Sequence, residues 1–468
     1  MSSNAERFDL VVIGAGPAGE KGAAQAAYFG KRVAVIERER EPGGAAVHTG
    51  TLPSKTLREA ALYLSGHRAR DLYGIAVSLE RDTTVGRLMA RKAAIAAAES
   101  DRIRRNLDRH SVRYFTGSAR FSDAHTLLIE SASGISRVEG QFVLIASGSR
   151  PRRPRDIDFE DEQIHDSDEI LEIQKLPSSL IVLGGGVIGC EYACMFAALG
   201  VRVTLVDTRP EILPFLDLEI VERLRLAMQN LGIVLCLGRR WSHVGRIGDL
   251  IGVRLDDGSK LECEQLLFAA GREGKTSGLG LEQIGVELDD RGYVKVDERF
   301  RTRLPHVMAA GDVIGFPALA SVSMEQARVA VCHAFGFGYK QAVTALMPYG
   351  IYTIPEVSSI GETEQSARQN GVDYVVGRAL YRENARGLIQ GDIDGITKLV
   401  VDAKTRKLIG VHVIGERATE LVHIGQAVIQ LGGKIDVFIE MVFNYPSLGE
   451  SYKYAAYQVL GALAARNS

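Results

Sequence analysis

The sequence lacks a strong charge of one sign, has no long apolar run and contains almost no cysteine. Its 468 residues carry 56 Lys and Arg against 58 Asp and Glu, a formal charge of -2. That balance argues against nucleic acid or an anionic membrane as the main partner, because both select basic surfaces. No stretch of about twenty apolar residues is present, so no segment is predicted to span a bilayer. The run from Met1 to Arg7 lacks a basic segment followed by a long apolar one, and no signal peptide is expected there. The five cysteines (Cys190, Cys194, Cys236, Cys263 and Cys332) are sparse and odd in number. They fit a reducing cytoplasm better than a secreted disulfide scaffold. The length exceeds what one core serves and predicts about two to four domains.

Two glycine-rich loops stand out against this ordinary background. Gly14-Ala15-Gly16-Pro17-Ala18-Gly19 follows the apolar run Phe8 to Ile13, and Gly184-Gly185-Gly186-Val187-Ile188-Gly189 follows Leu180 to Leu183. Each reads as strand, tight turn and helix, which brings phosphate oxygens to a helix N-terminus. In the first unit a helix is predicted from Lys21 to Phe29, stopped by Gly30, then a strand from Val33 to Ile36. Glu37 closes that strand 23 positions after Gly14, where a carboxylate accepts hydrogen bonds from a ribose. The second unit repeats the plan, with a helix through Phe196 and a strand from Val203 to Val206 ending at Asp207. Two such units in one chain predict an enzyme that holds two dinucleotides face to face.

The remaining segments are less distinctive. A mostly helical stretch is expected from Pro53 to about Arg109, and short alternating strands from Val112 to Val138. The strand Phe142 to Ala146 leaves the first unit through Ser147, Gly148 and Ser149. The linker Arg150-Pro151-Arg152-Arg153-Pro154-Arg155 reads as a domain boundary and a solvated crossover rather than a phosphate site. Leu266 to Arg272 leaves the second unit through Gly271, and Val307 to Asp312 is another apolar strand ending in a carboxylate. From about Tyr349 the pattern changes to strands and helices without glycine loops. Cys190 and Cys194, one helical turn apart, are expected to be buried packing, and no spacing points to a metal site. His333, His412 and His423 read as packed or surface histidines.

Taken together, these features resemble the flavoprotein disulfide reductase family over essentially the whole chain. The resemblance implies an α/β fold with two Rossmann-like dinucleotide-binding domains, for FAD and NAD(P), and a C-terminal α+β dimerisation domain. The implied divisions are 1–150 and 273–347 for FAD, 151–272 for NAD(P) and 348–468 for the dimer interface. It also implies that Gly14, Gly16, Gly19 and Glu37 contact the FAD adenosine and pyrophosphate, and that Asp312 binds its ribityl chain. Gly44, Ser147, Gly148, Gly271 and Gly311 are carried over as further cofactor-binding positions. Gly184, Gly186, Val187 and Gly189 match the nicotinamide dinucleotide loop. Lys55 and Glu191 match an ion pair next to the flavin. Val187 stands where some members place a gating tyrosine, so a smaller lid is expected.

The chain departs from that family where its chemistry is done. In Gly43-Gly44-Ala45-Ala46-Val47-His48-Thr49-Gly50-Thr51-Leu52-Pro53-Ser54-Lys55, members that reduce disulfides carry two cysteines; here Ala46 and Thr51 stand at those places. A methyl group stores no electrons and a threonine hydroxyl is no redox equivalent of a thiol. The C-terminal run Tyr445-Pro446-Ser447-Leu448-Gly449-Glu450 likewise has Tyr445 where the family has an acid/base histidine. Disulfide reduction by the family route is therefore excluded, and Thr51 is expected beside the flavin as a hydrogen-bonding filler.

The longer runs His48 to Arg58, Gly350 to Glu356, His423 to Ala427 and Phe443 to Pro446 resemble one subgroup, the soluble (Si-specific) pyridine nucleotide transhydrogenases. That implies ping-pong hydride transfer between NADPH and NAD+ through FAD, with NAD(H) and NADP(H) as substrates, in a homodimer or higher homo-oligomer. An NAD(P)H:quinone or dye reductase of the same fold stays open as an alternative, and so does a flavin-bearing protein without activity. Nucleotide preference reads both ways: Asp207 suits the free 2'-hydroxyl of NAD(H), while Arg209 is able to clamp a 2'-phosphate.

Overall fold

The structure, a computed structural model, describes residues 5–66 and 81–467. The apolar run at the start of the chain forms the strand Glu6–Ile13, whose Leu10, Val11 and Val12 are fully buried. It lies between Val33–Glu37 and Gly134–Ile145, parallel to both. Burial on both faces explains why these strands are continuously apolar instead of alternating. Arg113–Thr116 joins the outer side of Val33–Glu37, again in parallel. Thr126–Ser131 and Ser118–Phe121 extend the other side as antiparallel strands. Val307–Ala309 returns to the sheet beside Gly134–Ile145, its Val307 level with Val143.

The first glycine loop leads directly into the helix Pro17–Tyr28. This helix starts four residues before the predicted Lys21, because Pro17 is preorganised for the first helical position. It packs against the later helix Ala320–Phe335, and its Gly22 lets it approach Leu144 of the sheet: a Cβ there would lie 2.6 Å from Leu144 Cδ2. The helical stretch expected from Pro53 to Arg109 is found as Thr51–Leu64 and Arg81–Arg109. The intervening part of that expectation lies outside the described residues.

The second unit repeats the arrangement. Val234–Leu237, Arg202–Asp207, Ser179–Leu183, Gln265–Phe268 and Ile164–Asp166 form a parallel sheet in that order. Its helix Val187–Ala198 is apolar except for Glu191 and almost wholly buried, so Cys190 and Cys194 are packing residues, as expected. The linker from Arg150 to Arg155 is more than the solvated crossover that was expected. Ser149–Pro151 pairs with Arg272–Gly274 as a two-stranded antiparallel ribbon, reinforced by Arg150–Glu273 at 2.7 Å. Arg153 reaches Asp166 of the second sheet at 2.8 Å. The two chain crossings between the nucleotide units thus brace each other.

The C-terminal part is a mixed layer of a different kind. Tyr349–Ile351, Val357–Gly361, Leu408–Ile414, Ile396–Asp402 and Tyr374–Leu380 form an antiparallel sheet in that order. The helices Ala418–Gln430 and Ser451–Asn467 lie against it, closing a core around Tyr381, Phe438 and Tyr452.

Candidate functional site

The two glycine loops make the same local contacts. Gly14 has φ +100°, and a Cβ there would lie 2.5 Å from the Ala146 carbonyl oxygen; Gly184 has φ +117°, with 2.8 Å to that of Ala269. Gly19 and Gly189 each press on the loop's first glycine, so that a Cβ would come within 1.8 Å of the Gly14 or Gly184 oxygen. The middle glycines differ. Gly186 has no atom within 4 Å of its Cβ direction, and Gly16 only the Gly43–Gly44 backbone at 3.8 Å or more. Side chains are thus missing where the strand, turn and helix must meet, and also where the helix N-terminus faces open space. Only the second kind of absence is explained by a ligand approaching the backbone amides.

Each loop is also held by the carboxylate at the end of the next strand. Glu37 accepts the Ala15 N–H at 2.7 Å and the Glu39 N–H at 3.0 Å, and Asp207 accepts the Gly185 N–H. The spacing is 22 residues in both cases. Beside the first loop, the strands ending at Ile13, Ile145 and Ala309 are neighbours in one sheet. Their exits place Gly14, Ser147 and Gly311 at one carboxyl edge. Ser147 Oγ is buried there with no protein partner, and Gly148 at φ +75° has nothing within 4 Å of its Cβ direction. Gly44, at φ +56°, would place a Cβ 3.0 Å from Gly16 Cα. Asp312 follows Gly311 (φ +83°) and accepts from Ser149 Oγ at 3.1 Å and Ser323 Oγ at 3.4 Å. Gly271, at φ +114°, makes the matching turn out of the second sheet and accepts the Arg152 N–H through its carbonyl.

Three parts of the chain meet between the loops. Lys55, on the helix Thr51–Leu64, donates to Glu191 Oε2 at 2.6 Å across from the helix Val187–Ala198. The Glu191 side chain is 8% exposed and that of Lys55 25%, so the cation is the more accessible of the two. The other Glu191 oxygen accepts the backbone N–H of Tyr352 at 2.9 Å, and the Tyr352 ring lies 4.9 Å from Lys55 Nζ. Arg58, one turn further along the first helix, donates to the Thr353 carbonyl and pairs with Glu356. The Lys55 ammonium is thereby fixed by three segments remote in sequence. Thr51 stands at the exposed start of the same helix, one turn before Lys55. Val187 occupies the first position of its helix and is half-buried.

Sequence reasoning assigned no role to Tyr352 or Asp168. Tyr352 lay within a run already singled out, but its backbone contact to Glu191 has no local signature. Asp168 faces Thr49 and lies 3.7 Å from Arg272. Burial pushes its carboxyl above the ordinary range, against the opposing pull of Arg272.

Asp207, expected to suit the free 2'-hydroxyl of NAD(H), has both of its oxygens engaged within the protein. Oδ1 accepts the Arg209 backbone N–H at 2.7 Å and Nε at 2.9 Å, and Oδ2 accepts Gly185 N–H and Arg209 Nη2 at 2.8 Å. Burial alone would raise its pKa, but the hydrogen bonds from Arg209 and Gly185 outweigh it and hold the carboxyl low. Asp207 and Arg209 therefore form one unit rather than two competing signals.

Burial pushes the Cys190 thiol well up and that of Cys194 to about 12, and all five cysteines are free. Tyr445 is 74% exposed on the C-terminal part. His412 is fully buried between Ser359 Oγ and the Glu362 carbonyl, while His423 and His333 are partnered near the surface. Among the described residues no cluster of His, Cys, Asp and Glu is suited to a metal ion, and no helix is long and apolar enough to cross a membrane.

Comparison with known proteins agrees with this geometry. Residues 8–334 match the model of the pyridine nucleotide-disulphide oxidoreductases, and residues 347–456 match that of their dimerisation domain. The chain is 46% identical over 464 residues to a soluble pyridine nucleotide transhydrogenase of Mycobacterium bovis, covering 98% of both chains. Proteins of that name from Yersinia pestis and Colwellia psychrerythraea are 40% and 37% identical, each with 97% of this chain and 98% of the other covered. Among solved structures, LpdA from Mycobacterium tuberculosis superposes with a TM-score of 0.89 at 29% identity, covering 97% of this chain and 99% of that one. The HOCl-induced flavoprotein disulfide reductase RclA from Escherichia coli gives 0.88 at 27%, with 97% and 100% covered.

Proposed function

This chain belongs to the pyridine nucleotide-disulphide oxidoreductase family, and we propose that it is an FAD-dependent, Si-specific transhydrogenase moving hydride between NADPH and NAD+ by a ping-pong route, in the cytoplasm, as a homodimer or higher homo-oligomer. The observation that carries this reading is a selective loss. By the family resemblance the dithiol positions are Ala46 and Thr51 and the histidine position is Tyr445, while Lys55 and Glu191 are paired and both glycine loops are formed.

The first unit fits FAD by its own features: the open approach at Gly16, the anchored Glu37, the unpartnered Ser147 Oγ and the Gly311–Asp312 turn. Bound there, FAD supplies a ring that accepts hydride from one nicotinamide and returns it to another. Gly14, Gly16, Gly19, Gly44, Ser147, Gly148, Gly311 and Asp312 would hold it, with Glu37 on its adenosine ribose. The loop of Gly184, Gly186 and Gly189 would hold NAD(H) and NADP(H) in turn, with Gly271 shaping its far wall.

Lys55 supplies a fixed positive charge in a partly dry cleft, where it stabilises negative charge that develops beside it. Glu191 keeps that ammonium from turning to solvent and is itself kept in place by the Tyr352 amide. Thr51, at the helix start, gives a hydroxyl in place of a thiol, and Val187 leaves a small lid for nucleotide exchange. With Ala46 and Thr51 at the dithiol positions, a second nucleotide is the acceptor in this reading.

The test is hydride transfer from NADPH to the thio analogue of NAD+ by the purified yellow protein, with quinone reduction measured alongside. Rapid transfer with parallel-line kinetics supports the reading. Quinone reduction that far outpaces it would replace the reading with a quinone reductase of the same fold.

A further inference from the structure

The Asp207–Arg209 unit raises a question that the family's fold leaves open: how one pocket serves a nucleotide with a 2'-hydroxyl and another with a 2'-phosphate. A carboxylate offers about four acceptor positions, and on Asp207 all four are taken, by Gly185 N–H, Arg209 N–H, Arg209 Nε and Arg209 Nη2. The guanidinium has about five N–H donors and spends two on this pair. Its side chain is 46% exposed, against 6% for Asp207. Acceptors at the strand end are thus saturated, whereas donors are spare and face solvent. The backbone beneath is pinned: Gly238 N–H donates to the Arg209 carbonyl at 2.8 Å, and Arg239 N–H to that of Asp207 at 3.1 Å. A Cβ on Gly185 would lie 3.2 Å from Asp207 Cβ and Oδ2, so the carboxylate is also seated against the glycine loop. Of the two side chains, that of Arg209 is the one open to solvent.

We infer that Arg209 is an exchangeable counter-ion that gives the second loop its dual nucleotide specificity. With Arg209 in place, Asp207 is neutralised and repels no phosphate, and the spare guanidinium donors receive a 2'-phosphate. When Arg209 swings out, two acceptor positions on Asp207 open to a ribose diol. A half-exposed ion pair is held weakly enough for either state to be reached. The pair is then the determinant of specificity, and a fixed arginine or a free aspartate would each favour one nucleotide. This deepens the proposed function, since it rests on both nucleotides using one site.

Calorimetric titration of the FAD-loaded protein with adenosine 2',5'-bisphosphate and with 5'-ADP tests the exchange apart from hydride chemistry. Arg209→Gln is expected to weaken the bisphosphate at least about tenfold and to tighten 5'-ADP about two- to fivefold, since the competitor for Asp207 is gone. Asp207→Asn is expected to do the reverse, weakening 5'-ADP while sparing the bisphosphate. Flavin content and melting temperature check that both variants fold. An Arg209→Gln protein that binds both probes as the wild type does, or loses both equally, overturns the inference. Reciprocal shifts in a protein that fails to pass hydride between nucleotides would overturn the proposed function and leave the exchange standing.

Discussion

At the scale of single residues, the chemistry rests on one ammonium and the groups that aim it. Lys55→Met keeps the length of the side chain and removes its charge, while leaving Glu191 buried and without its cation. Transfer from NADPH to thio-NAD+ is expected to fall about a hundredfold or more, with flavin still bound; an undiminished rate would show that the cation stabilises nothing. Thiol reagents give the complementary expectation. The buried Cys190 and Cys194 have raised pKa values, so iodoacetamide at neutral pH should leave transfer unaffected, and inactivation tracking one labelled cysteine would argue against a thiol-free route. Val187→Tyr should slow turnover by crowding the nucleotide cleft, and a variant that turns over as fast would remove the lid. How much of this was legible differs by residue. Ala46 and Thr51 could be read directly, because a missing thiol is a matter of identity. The Lys55–Glu191 contact spans 136 positions and was reachable only through family likeness. Asp207 and Arg209 were both visible, two residues apart, but sequence treats them as rival signals and has no means of showing that one saturates the other.

At the scale of elements, the strand–glycine loop–helix unit was legible because its requirements are local and occur twice. The ends were less so: the first helix begins at Pro17, where a fixed φ favours the first turn. The ribbon of Ser149–Pro151 with Arg272–Gly274 was missed because its partner lies more than 120 residues away. The loops also separate two kinds of glycine. Alanine in a helix is favoured over glycine by about 1 kcal/mol, yet at Gly189 its Cβ would sit 1.8 Å from a backbone oxygen. Gly189→Ala should therefore lower the melting temperature, and nucleotide affinity with it. Gly186→Ala meets no protein atom within 4 Å. It should melt like the wild type yet bind NADPH at least about tenfold more weakly, because the methyl group occupies the phosphate's approach. Thermal melts paired with titrations check both, and equal behaviour of the two variants would refute the assignment of Gly186 to the ligand.

At the scale of the whole molecule, the second nucleotide unit is fastened to the C-terminal sheet by buried charge. Lys398 is 1% exposed and reaches Asp217 at 2.7 Å, Glu219 at 3.0 Å and Glu364 at 2.5 Å; Arg378 shares Glu219 at 2.8 Å and Glu364 at 3.2 Å. Asp217 also caps the helix Leu218–Asn230 and accepts the Glu364 N–H at 3.1 Å. The contacts that join the two units span 147 to 181 positions, so no local pattern announces the cluster. Lys398→Met leaves Asp217 without its lysine and Glu219 and Glu364 with Arg378, Arg223 adding a contact to Glu219 at 3.6 Å, and breaking a buried pair in this way costs about 3–5 kcal/mol, measurable by denaturant unfolding. The pH dependence follows from the directions of the shifts. Burial opposes ionisation of Asp217 and Glu219, but His412 and Lys398 for the first, and Lys398 and Arg378 for the second, outweigh it and hold both carboxyls low. Their stabilisation is complete above the ordinary carboxylate range of about 4 and is lost as pH falls through the lower folded values. Lys398 is shifted up by its three carboxylates against burial, so its share is complete below its ordinary pKa of about 10.4 and is lost as pH rises from there through the folded value. His412 is shifted down by burial; the unfolded chain protonates first, and stability declines as pH drops below about 6.5. Unfolding free energy should thus be flat only from roughly pH 7 to 8, decline above that as the unfolded thiols ionise while the buried Cys190 and Cys194 stay protonated, decline gently below 6.5 and fall steeply below about 4. His412→Gln should shrink the gentle phase, leaving the share of His165 and His306, whose pKa values burial also lowers, and should soften the steep phase only at Asp217, since Lys398 and Arg378 still hold Glu219 low; a gentle phase of undiminished size would mean that His412 does not gain a proton on unfolding.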